Sequence, residues 1–463
     1  MTSHTSTPGD DPTPRSMSGR PRSARPVTAP GAGRWQNWAG NVTVTPVRVR
    51  SPQSAAEVAD EVRRAAADGI AIRMAGSGHS FTPTVPTDGV LLRPDGLTGI
   101  RPIDEAADLV TVEAGCPLAK LNAALLRHGL SLANMGDIDV QTAAGAIQTG
   151  THGTGRSTGG MAAQVAGLEL VLADGTIRTC SADDPAAGLF DAARVGLGAL
   201  GLLTAVTFRV QPAFLLQARE GPMRWSEVIG RLPELTSENE HFEFYWFPHT
   251  EGCLTKRNNR SDGPARPLSS WRHWLDDEFL SNSVFGVACR LGYRMPAAIP
   301  RVNSAASRAL SARTYTDAAY RVFTSPRRVR FKEQEYAVPR DQLTDVLGEL
   351  RGLFQRRDWR ISFPIEVRVA PADDPWLSTA YGRDSAYIAI HVYHESPHAK
   401  YFRDVEAIMT AVGGRPHWGK LHTRDADYLR GVYPRFDDFV ALRDAVDPER
   451  RFGNPYLQQV LGS

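Results

Sequence analysis

His79 stands among glycines and serines in the stretch "RMAGSGHSFTP" (residues 73–83). A neutral imidazole is a nucleophile near pH 7, and flanking glycines let the backbone approach a ligand closely. Successive main-chain N–H groups in such a loop form a nest for an anion, for example a pyrophosphate. A second loop of this type, "TAAGAIQTGTHGTG" (142–155), follows. Two such loops suit a dinucleotide better than a mononucleotide; the alternative is two tight turns whose glycines only supply positive φ.

Polar and apolar residues alternate in two stretches of the second half, "FPIEVRVAP" (363–371) and "YIAIHVYH" (387–394). Because strand side chains point alternately to opposite faces, each stretch presents one apolar face and one face with polar groups. The latter faces carry Glu366, Arg368, Ala389, His391 and Tyr393. With Lys420 from "HWGKLH", this set can orient hydroxyl groups and stabilise an anion. A solvated sheet face with a salt bridge would show the same pattern.

Three common site types are disfavoured. "GLGALG" (196–201) has GxGxxG spacing, but the helical pattern "LFDAARV" precedes it and a strand follows, the reverse of a dinucleotide fingerprint. "GSGHS" lacks the GK[ST] of a P-loop. The pairs His391/His394 and His417/His422 have no carboxylate or cysteine at a convincing ligand spacing, so no metal site is predicted.

Helix and strand patterns indicate how these segments are positioned. Ser54 and Glu57 form a capping box for a helix, and "IAIRMAG" is then a buried strand that leads into the His79 loop. A second unit has the strand "LVTVEAG" and a helix that begins near Pro117. "LELVLADGTIRT" predicts a hairpin with its turn at Asp174–Gly175, and "LLTAVTFRVQP" predicts a strand.

The length of 463 residues predicts two domains. After Pro212 the chain becomes richer in aromatic residues, and its strands and the helical segment "DQLTDVLGELRGLFQRR" (341–357) predict an α+β fold there. We place the domain boundary at that point. The first 33 residues, rich in Ser, Thr, Pro, Gly and Arg, are expected to form a disordered tail.

Composition excludes several partners. The 53 Lys and Arg nearly balance the 51 Asp and Glu, so no nucleic-acid partner is expected. No apolar run is long enough for a membrane span, and the first residues lack the apolar stretch of a signal peptide. The four cysteines are widely spaced, which favours buried free thiols in a reducing, cytoplasmic compartment.

Six motifs occur in a fixed order: "NWAGN" (37–41), "GSGHSF", "GTHGTG", "EVR", "HWGK" and "DPERRFGNPYL". Together they resemble the sugar-1,4-lactone oxidases and dehydrogenases, and the related alditol oxidases, of the vanillyl-alcohol-oxidase flavoprotein superfamily. The resemblance covers Trp35 to Leu457. It implies a PCMH-type FAD-binding domain of two α+β subdomains, residues 34–212. It further implies an α+β substrate or cap domain with a large antiparallel sheet, residues 213–463, of which about 411–463 returns to the flavin domain.

The same resemblance implies FAD as cofactor, attached covalently to His79. The other residues expected to bind it are Met74, Ala75, Gly76, Ser77, Gly78, Ser80, Asp137, Thr142, Gly145, Thr149, Gly150, Thr151, His152 and Leu203. Expected catalytic residues are Glu366, Arg368, Lys420 and His391. Expected substrate contacts are Glu366, Arg368, Tyr393 and Lys420.

The implied reaction is oxidation of an alcohol carbon by hydride transfer to the flavin N5. An aldono-1,4-lactone, L-gulono- or D-arabinono-1,4-lactone, is the favoured substrate, and a linear polyol such as xylitol or sorbitol is the alternative. Asp137 stands where alditol oxidases carry a serine, which favours the lactone. The electron acceptor, oxygen or a cytochrome or quinone, and the proton acceptor stay open, with His391 as a candidate for the latter. A non-catalytic FAD- or sugar-binding protein is the alternative of another class.

Overall fold

A computed structural model describes residues 33–184, 187–274 and 282–463. The predicted tail lies outside these ranges except for Gly33. Within them, no helix is long and apolar enough to cross a membrane. The four cysteines, Cys116, Cys180, Cys253 and Cys289, are buried and free, as the sequence predicted.

The first half has strands β1 (Trp35–Gln36), β2 (Thr43–Val44), β3 (Arg48–Arg50), β4 (Ile72–Met74), β5 (Val90–Leu92), β6 (Leu109–Glu113), β7 (Leu130–Ser131), β8 (Val165–Val171), β9 (Ile177–Ser181), β10 (Leu202–Arg209) and β11 (Gln211–Pro212). Its helices are α1 (Ala55–Ala67), α2 (Leu118–Arg127), α3 (Ala143–Gln148) and α4 (Ala187–Ala193).

The second half has strands β12 (Leu215–Arg224), β13 (His241–Trp246), β14 (Gly252–Ser261), β15 (Arg313–Ala318), β16 (Phe331–Pro339), β17 (Ile365–Ala370), β18 (Ser385–Tyr393) and β19 (Arg415–Pro416). Its helices are α5 (Trp225–Gly230), α6 (Leu232–Glu238), α7 (Ser270–His273), α8 (Phe285–Arg294), α9 (Ile299–Arg308), α10 (Ala319–Phe323), α11 (Leu343–Arg356), α12 (Ala399–Ala411), α13 (Ala426–Val432), α14 (Phe436–Val446) and α15 (Pro455–Leu461).

A small parallel sheet, in the order β3-β5-β4, delivers the chain into the His79 loop. Helix α1 packs on this sheet through buried Val58 and Val62. Ser54 caps α1 by accepting from Glu57 N at 3.2 Å, which confirms half of the predicted capping box. The Glu57 carboxylate accepts from Gln53 N at 2.9 Å instead of from Ser54 N.

A four-stranded antiparallel sheet, β6-β10-β8-β9, forms the rest of the first half. The predicted hairpin is confirmed, because Gly175 has a φ of +81° and Thr176 N donates to Asp174 Oδ1 at 2.8 Å. The prediction that all of 142–155 is loop was wrong, since α3 occupies 143–148. Thr142 caps this helix, and its apolar residues are buried, so a short alanine-rich turn packs within the core despite the surrounding glycines.

The second half is built on an eight-stranded antiparallel sheet, in the order β15-β12-β14-β13-β17-β18-β16-β19. Strand β17 begins only at Ile365, the third residue of the predicted stretch "FPIEVRVAP", because Pro364 has no N–H to donate to a ladder. Helices α11 and α12 contribute to the apolar core on one face. The members of this core from α11, β13, β17 and β18 include Leu347, Leu350, Phe242, Phe244, Ile365, Val367, Val369, Ile388, Ile390 and Val392.

The C-terminal helices pack against the first half of the chain. Phe436 and Phe439 of α14 and Val460 of α15 belong to the same buried core as Val110 of β6 and Leu121 of α2. This packing supports the expected return of about 411–463 to the flavin-binding half. The boundary at Pro212 stays a prediction.

Candidate active site

The face of the large sheet opposite the helices carries buried charges in cross-strand register. Arg368 on β17 lies opposite Glu243 on β13, and Glu243 lies opposite Lys256 on β14. Arg368 Nε donates to Glu243 Oε2 at 2.8 Å, and Lys256 Nζ lies 3.0 Å from Glu243 Oε1. The second guanidinium edge of Arg368 pairs with Glu366. The alternation of β17 therefore places both predicted charged residues in a buried network.

Glu366 differs from Glu243 in the direction of its pKa shift. Burial raises its pKa, and Glu243 and Asp137 raise it further against the opposing effect of Arg368. For Glu243 burial acts in the same direction, but Lys256 and Arg368 outweigh it and hold its pKa at about 2. The Tyr245 hydroxyl lies 3.0 Å from Glu366 Oε1 and 3.1 Å from Glu243 Oε1, and its single proton is donated to one of these carboxylates at a time. Of these two carboxyls, Glu366 is therefore the one whose pKa is raised and which binds a proton more readily.

Two further charged residues join this network: Asp137 from the first half of the chain and Arg327 from a loop of the second half. Arg327 Nη2 donates to Asp137 Oδ2 at 2.8 Å, and Arg368 Nη2 lies 3.8 Å from the same oxygen. Burial opposes ionisation of Asp137, but Arg327 and Arg368 hold its pKa well below its usual range. About a third of each side chain of the Asp137–Arg327 pair is accessible, against 9% for Arg368. These two groups thus face the open space beside the network.

A second charged group lies on the neighbouring strands. Glu333 on β16 pairs with Lys420, and its Oε1 lies 3.4 Å from His391 Nε2. Lys420 counteracts burial at Glu333 and lowers the pKa of that carboxyl, while Glu333 helps to keep the pKa of Lys420 high. His391 Nδ1 is buried without a partner among the described residues. Tyr393, two residues further along β18, instead packs against Tyr293, with ring centroids 6.1 Å apart.

Three further buried residues, His152, Glu335 and His417, have ligand atoms within 4.8 Å of one another. His152 Nε2 lies 3.2 Å from Glu335, and its Nδ1 lies 3.0 Å from the carbonyl of Gly153. His417 Nδ1 accepts from Gly419 N at 3.0 Å, so a neutral His417 carries its proton on Nε2. Neither nitrogen of His417 then offers a lone pair to a cation. We assign the cluster to hydrogen bonding rather than to a metal.

A cleft opens where the two glycine-rich loops meet, with about 910 Å³ of empty space that includes space open to solvent. A Cβ on Gly76 would lie 2.5 Å from Thr142 Oγ1, and one on Gly145 would lie 2.7 Å from the same atom. The first distance shows that the two loops approach each other so closely at Gly76 that a side chain there would clash, and the second shows the same tightness within the second loop. The predicted cofactor residues that line the cleft are Met74, Gly76, Ser77, Gly78, His79, Ser80, Thr142, Gly145, Thr149 and Leu203.

The other predicted cofactor residues lie elsewhere. Asp137 and His152 belong to the charged groups described above, and Ala75 is buried. Thr151 accepts from Gln141 Nε2 at 3.0 Å, and Gly150 has a left-handed φ of +76°. Residues that the sequence did not single out complete the lining, among them Trp35, Arg73, Leu197, Gly198 and Gly201. Three of these belong to the rejected "GLGALG" motif, which contributes a wall without being a dinucleotide fingerprint.

Five consecutive N–H groups, from Gly76 to Ser80, have no acceptor among the described residues. The flanking donors are bonded, Ala75 N to Leu92 O at 2.9 Å and Phe81 N to Gly419 O at 2.7 Å. The carbonyl of Gly78 accepts from Trp38 N at 2.8 Å, and Gly78 has a φ of +72°. The loop thus has the donor set of an anion nest.

His79 joins this cleft to the charged groups. Its ring stacks on Trp38, with centroids 5.3 Å apart. Burial lowers the pKa of His79 to about 4, and Lys420 lowers it as well, so the imidazole is neutral at pH 7. Thr82 Oγ1 donates to Trp418 O at 2.7 Å, which ties the His79 loop to the segment that carries Lys420.

A family model described as D-arabinono-1,4-lactone oxidase matches residues 206–460, and one described as FAD binding domain matches residues 46–181. The L-gulono-1,4-lactone dehydrogenase of Mycobacterium tuberculosis is 42% identical over 92% of this chain and 99% of its own length. The chain belongs to the D-arabinono-1,4-lactone oxidase family. It is an FAD-dependent oxidoreductase.

Two further relatives match the same share of this chain at lower identity. The L-gulonolactone oxidase of Bos taurus is 33% identical, and the alditol oxidase of a Streptomyces species is 32% identical. Both matches cover 92% of this chain and 98% of the relative. Cholesterol oxidase from B. sterolicum has the same fold, with a TM-score of 0.80 at 19% identity over 93% of this chain and 96% of that one. The predicted fold class, a PCMH-type FAD-binding domain with a large antiparallel sheet, is confirmed.

FAD fits the cleft of this family member. The closely packed glycine loops leave a path for a dinucleotide, and the five N–H donors from Gly76 to Ser80 suit its pyrophosphate. Leu203 and the "GLGALG" turn supply apolar surface on the other side. FAD bound there would supply a hydride acceptor next to His79 and the charged groups.

The protonation of His417 predicts how stability depends on pH. Burial lowers the pKa of His417 to about 3, whereas an unfolded histidine titrates near ~6.5. At a pH between these two pKa values, the unfolded chain binds one more proton at this histidine than the folded chain. The contribution of His417 to the free energy of unfolding is therefore complete above pH ~6.5 and is lost as the pH falls. Below pH ~6.5, His417→Asn should reduce the slope of unfolding free energy against pH by up to about 1.4 kcal/mol per pH unit.

Urea unfolding at several values between pH 5 and pH 7 measures this slope. His128→Asn is the matched control, because His128 is half exposed at the surface. A slope that is the same in His417→Asn and in the wild type would show that His417 does not contribute to the pH dependence.

Proposed function

We propose that this protein oxidises an aldono-1,4-lactone, L-gulono- or D-arabinono-1,4-lactone, at an alcohol carbon. The observation that carries the proposal is the charged face of the large sheet, where Glu366, Arg368 and Lys420 lie beside the cleft of an FAD-binding family member. Its relatives include enzymes named for L-gulono- and D-arabinono-1,4-lactone. A non-catalytic binding protein has no need for three compensated charges beside the cofactor cleft.

The residues divide the chemistry between them. The hydroxyl of the substrate must lose a proton as its carbon loses a hydride, and FAD supplies the hydride acceptor. Glu366, whose pKa burial raises, is positioned to hold the hydroxyl and accept its proton. Arg368 and Lys420 supply positive charge for the oxygen as negative charge develops on it. His391 is a weaker candidate for the base, because Glu333 engages its Nε2 and its Nδ1 is buried.

A lactone suits the site better than a linear polyol. Arginine and lysine offer only hydrogen-bond donors, and a lactone carbonyl offers only an acceptor. Arg327 and Lys420 are partly accessible cations of the charged face, and Asp137 is already paired with Arg327. The alditol alternative rests on the Streptomyces relative, which matches over the same share of this chain.

We also propose that His79 binds FAD covalently and that the protein is cytoplasmic. A neutral imidazole next to the cofactor cleft can act as the nucleophile that such a bond requires. The four buried free cysteines support a reducing compartment. Oxygen and a cytochrome or quinone are both retained as electron acceptors.

A substrate panel tests the activity. Purified protein is mixed with L-gulono-, L-galactono- and D-arabinono-1,4-lactone, xylitol and sorbitol, each with oxygen and with an artificial acceptor. We expect the lactones to bleach the flavin absorbance and the polyols to do so at least about tenfold more slowly. Faster reduction by the polyols would favour the alditol reaction, and a flavin that stays oxidised with all of them would refute both.

The covalent link has a direct test. Wild-type protein denatured in acid should keep yellow, fluorescent flavin on the chain, whereas His79→Ala should release it. His128→Ala, at an exposed histidine, is the control and should retain flavin. Flavin that stays with the denatured His79→Ala chain would rule out this attachment site.

The roles of Arg368 and Lys420 predict large losses of turnover. Arg368→Ala and Lys420→Ala should each lower kcat by on the order of 10² or more if these cations stabilise charge in the transition state. Lys400→Ala, at an exposed residue of α12, should leave kcat unchanged. Near-normal values of kcat in folded Arg368→Ala or Lys420→Ala protein would show that the charged face has only a structural role.

A further inference from the structure

Arg73 on β4 is a buried cation held almost entirely by main-chain carbonyls. The whole residue is only 3% exposed to solvent. Nη1 donates to Gly198 O at 2.8 Å and to Phe452 O at 2.6 Å. Nη2 donates to Thr84 O at 2.6 Å and to Leu197 O at 2.7 Å. The remaining donor, Nε, has no acceptor among the described residues.

The charge of Arg73 has no direct counter-ion in the described structure. Asp447 is the acid whose charge reaches it. However, the Asp447 carboxylate accepts from the N–H groups of Arg451 and Phe452, each at 2.9 Å. Burial lowers the pKa of Arg73 to about 10 despite Asp447, so the guanidinium stays charged at pH 7. A buried charge without a counter-ion is costly, which points to a partner from outside the chain.

The position of Arg73 indicates what that partner is. Arg73 lines the cofactor cleft and is the one permanently charged residue among those that line it. The nest of unbonded N–H groups begins three residues further along, at Gly76. A pyrophosphate brings two negative charges, and a nest of neutral N–H groups does not neutralise them.

We propose that Arg73 is the counter-ion of the FAD pyrophosphate. The four carbonyls fix the guanidinium at the cleft, and the bound anion compensates its charge. This role is independent of which alcohol the enzyme oxidises, so it goes beyond the proposed function. It also explains why a cation is held by carbonyls from three separate segments, since a carboxylate there would cancel the charge that the cofactor needs.

The test compares ligands with and without phosphate in a His79→Ala background, where flavin binding is reversible. The dissociation constants of FAD and riboflavin for the apoprotein are measured by flavin fluorescence. Arg73→Met should weaken FAD binding by about 10- to 100-fold, because the pyrophosphate loses a buried positive charge that compensates its own. Riboflavin, which has no phosphate, should change by less than about threefold. Arg73→Lys, which keeps the charge, should retain most of the preference for FAD.

Arg443→Met is the matched control. Arg443 is also buried and donates to two main-chain carbonyls, those of Leu461 and Gly462, but it does not line the cleft. Both methionine variants should lower the unfolding temperature, and only Arg73→Met should lower the FAD-to-riboflavin preference. An equal loss of FAD and riboflavin affinity in Arg73→Met would overturn the proposal and leave a structural role.

Two other outcomes of this experiment have distinct meanings. If Arg73→Met does not fold, Arg73→Lys decides, because a tenfold loss of FAD preference with the charge kept would also overturn the proposal. An apoprotein that binds neither FAD nor riboflavin with Arg73 intact would instead contradict the cofactor. Failure of the lactone panel leaves the comparison of FAD with riboflavin unaffected.

Discussion

A carboxylate buried on the inner face of the large sheet keeps its charge only if a cation replaces the water it has lost. Cross-strand register meets this requirement, because it places Lys256, Glu243 and Arg368 in one row of three neighbouring strands. Glu366 lies at the end of the resulting chain of pairs and shares Arg368 with Glu243. Its compensation is therefore incomplete, and its pKa is raised while that of Glu243 is lowered. Glu366 therefore has less positive charge beside it than Glu243. This difference distinguishes Glu366, a carboxyl suited to proton transfer, from Glu243, which is only structural.

Two hydrogen bonds tie the loop that lines the cofactor cleft to the segment that carries Lys420 of the charged face. Phe81 N and Thr82 Oγ1 donate to the carbonyls of Gly419 and Trp418. These bonds place the His79 loop beside the segment that carries Lys420, although the two lie more than 300 positions apart in sequence. Glu333 then anchors Lys420 to β16. The return of the C-terminal segment to the first half is thus a requirement of the chemistry as well as of packing.

Much of this arrangement was readable from the sequence where a local rule applied. The alternation of side chains along a strand identified the face that Glu366 and Arg368 share. The same rule applied to "FKEQEYAVP" would have identified Glu333 and Glu335. No local pattern distinguishes Arg327, because two further arginines, Arg328 and Arg330, follow it closely. The "GLGALG" turn was rightly separated from a dinucleotide fingerprint, yet it lines the cleft through contacts made far along the chain. Local pattern predicts strand faces and turns, whereas long-range contacts decide which turns meet.

Lys420 links the two chemistries expected of the site. A covalent link through His79 needs a neutral imidazole, and the positive charge of Lys420 adds to burial in lowering the pKa of His79. The alcohol oxidation needs positive charge beside the reacting oxygen, and Lys420 is an accessible cation of the charged face. Glu333 keeps that cation in place without exposing a carboxylate to the open space, since Glu333 itself is buried. A neutral residue at position 420 would therefore weaken both functions, while loss of Glu333 would act on both only through the position of Lys420.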